Sequence, residues 1–151
     1  MRRAFSLIEI MIVVVIVGIL AAVALPQFAG ATDEARTSAA QAAVAGVRAA
    51  IASHRTAAVI SGDDPFPTLA ELTDGTTISF GIPANPFNDS SSVQSVTQAQ
   101  ADTRAVVGTS AGWNYFVDNS STPPAAVFYA NSEAETIEDD ASGQPIQANN
   151  L

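Results

Sequence analysis

The feature that most constrains this chain is an apolar run at its start, "FSLIEIMIVVVIVGILAAVALP", preceded by Arg2 and Arg3 and carrying one acid, Glu9. From Ile10 to Leu25 only Gly18 and alanines interrupt the large apolar side chains. Counted from Phe5, the run has roughly the twenty residues that an α-helix needs to cross a bilayer. No comparable basic cluster follows Leu25, so the positive-inside rule expects the N-terminus in the cytoplasm and the rest of the chain beyond the membrane. Three readings compete: a cleaved secretory signal cut after "AVA" or "AGA" (after Ala24 or Ala31), a plain anchor, and a segment with a further use. Glu9 separates them. An acid in such a segment costs a few kcal/mol unless it sits near the interface, and by default it marks function.

The residues around Glu9 sharpen this. Phe5, Ser6, Leu7, Ile8 and Glu9, following a short basic leader and followed by an apolar helix with Pro26 near its end, form a pattern that resembles the N-terminus of type IV pilins and type II secretion pseudopilins. Ala4 stands where that family usually has glycine; alanine is the next smallest residue. The resemblance implies a prepilin peptidase that cuts between Ala4 and Phe5 and N-methylates Phe5. It implies a role for Glu9 as well: in a filament, its carboxylate meets the Phe5 ammonium of a neighbouring subunit. A paired buried charge costs far less than a lone one, so Glu9 would set the register of assembly. The positive end of the helix dipole also favours an acid in the first turn.

After Pro26 the chain is alanine-rich, and alanine is the best helix former. Val44, Val47, Ile51, His54 and Ala58 step by 3, 4, 3 and 4 and predict one apolar stripe; Gln41, Arg48 and Arg55 form a polar line beside it. The spacing predicts an amphipathic helix ending near Ser61 and Gly62. Pro26 predicts a kink. The alternatives are one bent rod of roughly 80 Å and two helices with a loop at "PQFAG", the rod being preferred. His54, the only histidine, reads as a packed side chain on the stripe rather than a catalyst or ligand.

Beyond Gly62 the sequence predicts a short helix from Thr68 to Leu72, a turn at Asp74 and Gly75, and a strand from Thr77 to Phe80. A proline-punctuated loop and a polar stretch over 93–105, coil or short helix, come next. An antiparallel hairpin then pairs Trp113–Val117 with Ala126–Tyr129 across a wide turn. The acidic end after Ala134 is expected to be mobile in places. The stripe of Val44, Val47 and Ile51 is expected to pack on Phe80, Trp113, Phe116 and Phe128 or Tyr129. The resulting class is α+β: a long N-terminal helix with a small antiparallel sheet on its second half, which is also the pilin fold that the resemblance implies. The regions are a leader (1–4), a membrane or filament-core helix (5–26), the amphipathic helix half (27–61) and a small β-containing part (62–151). "NPFN", "GWNYF" and "FYANS" are similar to the globular part of major pseudopilins.

Composition narrows the function. The net charge is −9, and beyond Arg3 there are 4 basic and 15 acidic residues, or −11. Such a surface repels phosphate backbones, so direct nucleic-acid binding is not expected. There is no cysteine, no phosphate-binding glycine loop, no nucleophile elbow and no zinc spacing. The pairs Asp63–Asp64 and Asp139–Asp140 read as solvated loops rather than an acid–base couple, and an enzyme is not expected. Calcium stays open beside plain solvation for Asp118, Asn119, Glu133, Glu135, Glu138, Asp139 and Asp140, all hard oxygen ligands; no other cofactor is implied. The reading is a filament subunit of a type IV pilus or secretion pseudopilus. Its expected partners are other copies of itself, minor pilins, the prepilin peptidase, the inner-membrane assembly platform and the bilayer. It would begin as a single-pass precursor in the cytoplasmic membrane and end in a periplasmic or extracellular filament. The rival is a monomeric, membrane-tethered binding domain that never polymerises.

Overall fold

A computed structural model describes residues 6–151, and the side chains of all of these but 27–29. One helix, α1, runs Leu7–Ser61 with Pro26 inside it. Its end is set by Gly62, whose φ of +82° is a left-handed position that glycine occupies without penalty. The amides of Gly62 and Asp63 both donate to the Ala58 carbonyl, at 2.8 and 3.0 Å, and close the last turn.

Contacts divide the chain after Ala35, and residues from Arg36 onward form a compact unit. In it, Val44, Val47 and Ile51 join Leu72, Ile78, Trp113, Tyr115 and Phe128 in one core. The helix-period stripe and the strand-period residues thus meet as an α+β layer pair. Trp113 stacks on Phe128 with centroids 5.3 Å apart. Helices α2 (Leu69–Thr73) and α3 (Gln98–Asp102) each begin with a capping box, Thr68 with Glu71 and Thr97 with Gln100. The Thr68 bonds hold the Glu71 carboxyl below its ordinary pKa.

The sheet is mixed. Strand β2 (Trp113–Asp118) pairs antiparallel with β3 (Ala125–Ala130) and parallel with β1 (Val93–Ser95), the order being β1-β2-β3. A second ribbon pairs β4 (Glu135–Asp139) with β5 (Pro145–Gln147). The acidic end thus pairs into a ribbon that is tied to the helix: Thr37, buried on α1, accepts the Ile137 amide at 3.3 Å, and Thr136 donates to the Ile146 carbonyl at 2.7 Å.

Three expectations are corrected. Residues 77–80 form no strand; Ile78 alone turns inward, between Gly75 and Gly81 with positive φ, and Phe80 stays 66% exposed. Phe116 does not face α1. Strand side chains alternate, so with Trp113 and Tyr115 facing the helix, Phe116 joins Tyr129, Val96 and Ala101 in a separate cluster. The stretch 93–105 is neither coil nor only helix, since it supplies β1 as well as α3.

Candidate processing and assembly segment

Ala4 and Phe5 lie outside the described residues. The helix they lead into begins with the amides of Glu9 and Ile10 donating to the Ser6 carbonyl, at 3.1 and 3.4 Å. Glu9 is in the first turn of α1 and exposed. Ser6 and Glu9 have the Ser-x-x-Glu spacing of a capping box. Every large apolar side chain from Leu7 to Leu25 is more than half exposed. Each such side chain gains about 1.5 to 3 kcal/mol when fully buried. Lipid or other protein must cover this surface, and α1 is long and apolar enough to cross a membrane. Pro26 removes the amide hydrogen that would bond the Ala22 carbonyl, without ending the helix.

The other sequence-predicted groups are not gathered into a chemical centre. Asp118 accepts from the Ser120 amide and hydroxyl and the Ser121 amide, and these bonds hold its pKa down. Asn119 exchanges two bonds with the Phe66 backbone, at 3.1 and 2.8 Å. Asp140 caps Ser142 and Gln144. Among the described residues no three His, Asp or Glu are grouped to hold a metal ion. His54 is half-buried in a cleft of about 380 Å³ with Asp63, Asp64 and Glu71, and its Nδ1 has no hydrogen-bond partner.

Sequence reasoning missed an asparagine lattice. Asn114 donates to the Asn131 Oδ1 at 3.0 Å and accepts from Gln94; Asn131 spans Val107 and Ala111; Asn88 reaches the Ala111 and Asn131 carbonyls. The three short segments "NPFN", "GWNYF" and "FYANS" are thus stitched together. Their co-occurrence was the available signal.

Residues 1–25 match the prokaryotic N-terminal methylation motif. The chain is 48% identical over 50 residues to the type IV narrow pilus major component PilA5 of Thermus thermophilus. That stretch is 33% of this chain and 43% of the relative, so less than half of the relative's length is matched. No solved structure matches significantly. The relative is, by its name, a major component of a pilus. Motif, helix and partial similarity are together those of pilin-like structural proteins with a membrane-spanning N-terminal helix.

Proposed function

We propose that the chain is a structural subunit of a type IV pilus-like or secretion-pseudopilus filament. It inserts in the cytoplasmic membrane with its N-terminus inside, is cut between Ala4 and Phe5, is methylated at Phe5, and polymerises through α1 on an inner-membrane platform. One coincidence carries the reading. The methylation motif of residues 1–25 falls on the part of α1 that has no protein cover, whereas the core of the chain takes up the helix only from Thr37 on. In the filament, neighbouring copies replace lipid around Leu7–Leu25, and the Phe5 ammonium of one copy meets Glu9 of another. The partial similarity to a narrow-pilus component supports a pilus; the asparagine-bearing segments support the pseudopilus. Mass analysis of the N-terminal peptide tests the reading. A methylated start at Phe5 is expected, with Ala4→Gly speeding the cut. A start after Ala24 or Ala31 means an ordinary secretory signal and removes the filament reading.

A further inference from the structure

Beyond Arg3 the chain has four arginines, and three of them, Arg48, Arg55 and Arg104, line one cleft of about 300 Å³ with Ile51, Phe66 and Val127. Arg48 donates from Nε and Nη2 to the Phe128 carbonyl at 3.2 and 3.0 Å; Arg48 and Arg104 both reach the main-chain oxygen of Leu151, at 3.0 and 3.4 Å. Arg55 lies over the Phe66 ring, 5.1 Å from its centroid. Among the described residues no Asp or Glu side chain pairs with any of the three. Partial burial and then the charge of Arg104 lower the Arg48 pKa. Arg48 and Arg104 already hold the Leu151 oxygen, so among the described residues Arg55 is the cation of this cleft that has a ring and no oxygen partner; gathered like charges are unfavourable, and an arriving anion relieves them. A guanidinium fork over an aromatic ring is well suited to a carboxylate.

The occupant must bring a carboxylate beside an apolar side chain. Strand β4 does so: Ile137 is 49% exposed, and Asp139, two residues on and so on the same face, is exposed with a carboxylate that bonds no other described group. The other acidic groups fit less well. Asp140 is already used by Ser142 and Gln144, Asp33 and Glu34 are flanked only by Thr32 and Ala35, and Asp63 and Asp64 line the cleft of His54. We propose that the arginine cleft of one copy receives the Ile137–Asp139 segment of a second copy, with the Asp139 carboxylate on Arg55 and Ile137, on the same face of the strand, on the apolar wall. This contact rests on the reading of the chain as a self-assembling subunit and would add a polar link outside the α1 packing.

The chain has no cysteine, which makes cross-linking of the full-length protein clean. Copies carrying Arg55→Cys and copies carrying Asp139→Cys, co-expressed in membranes under oxidising conditions, should give a disulfide-linked dimer at least tenfold above the pairing of Arg55→Cys with Asp33→Cys. Arg55→Glu should lower recovery in filaments several-fold, and Asp139→Arg in the same chain should restore it. No dimer, or a dimer equal to the Asp33→Cys control, overturns the proposal. So does loss of duplex-DNA binding in Arg55→Glu without any cross-link, which would assign the cleft to phosphate. Filaments without the cross-link remove this contact and leave the filament reading intact; a cross-link in membranes that never yield filaments upholds the contact and removes that reading.

Discussion

Asn85 donates from Nδ2 to the carbonyl of Gly112 at 2.7 Å, across 27 residues of sequence and fully out of solvent. Its backbone amide bonds the Ser90 carbonyl at 3.0 Å, and its Oδ1 accepts the Phe87 amide at 3.0 Å. One side chain thus holds a proline-rich loop against the start of β2. The closeness leaves no room at Gly112, where a Cβ would stand 1.8 Å from the Ser90 carbonyl oxygen.

Gly112→Ala should therefore be among the most damaging single-methyl changes in the chain. The obstacle is backbone, so the loop must move, at a cost near the top of the about 1 to 3 kcal/mol typical of overpacking. Asn85→Ala leaves the Phe87 amide without its partner, at about 1 to 3 kcal/mol, and takes one of two bonds from the Gly112 carbonyl, which keeps the Asn131 amide at 2.9 Å. Denaturant unfolding of both variants, with Gly143→Ala on the open β4–β5 turn as a milder comparison, measures this. A Gly112→Ala protein as stable as wild type would mean the loop does not rest on β2.

The contrast between these segments and the rest shows what a sequence displays. The α1 stripe, β2, β3 and α2 follow from periodicity and capping residues, because Val44, Val47, Ile51, Trp113 and Phe128 announce their burial by type and spacing. Asn85, Asn114 and Asn131 do not. The same residue type serves solvated turns and buried lattices, and only the partner across the fold decides which. Strands β4 and β5 were hidden likewise, since "ETIED" buries only Thr136 and is held by hydrogen bonds rather than by an apolar face. Phe80 misled in the opposite sense, as an aromatic residue that the fold leaves exposed.

A chain starting at Thr32 should fold without the apolar half of α1. All the residues of the main core lie after it, beginning with Ala43. The expected product is a soluble, acidic monomer with helix and sheet by circular dichroism. Val47→Asp, which puts a charge at a position of zero exposure, should abolish cooperative unfolding, because an unpaired buried charge is among the costliest substitutions. Aggregation of the unmutated fragment would show that the stripe is not the core.

Tyr115 gives the fold an alkaline weakness. Its hydroxyl donates to the Pro67 carbonyl at 2.7 Å, and burial, then the Glu71 charge, push its pKa well above the ordinary value; Tyr129 shifts the same way, chiefly through burial. A raised folded pKa means that the folded state keeps protons the unfolded state has released. The contribution to stability is whole below pH of about 10, the unfolded value, and is lost as pH rises toward the folded value. Tyr115→Phe should cost about 1 to 3 kcal/mol at pH of about 7, by orphaning the Pro67 carbonyl, and should flatten the decline above pH of about 10. Unfolding midpoints across that range decide it; parallel declines would clear Tyr115 of the effect.

Glu9 has two possible uses, and two substitutions separate them. As a capping residue three positions after Ser6 it needs only an acceptor oxygen, which glutamine supplies. As the partner of a neighbour's Phe5 ammonium it needs the charge. Glu9→Gln keeps the cap and loses the charge, whereas Glu9→Leu loses both and makes membrane insertion easier. Both variants should be made, inserted and cut. Co-expressed with wild type, both should be depleted in filaments, because every added subunit must satisfy the contact and a buried ammonium left alone is costly. The measurement is the variant-to-wild-type ratio in purified filaments against the same ratio in membranes. Depletion of Glu9→Leu alone would reduce Glu9 to a helix cap. Equal ratios for both would leave it no assembly role, and a membrane-tethered monomer would then be the better account of a chain whose first helix half stands uncovered.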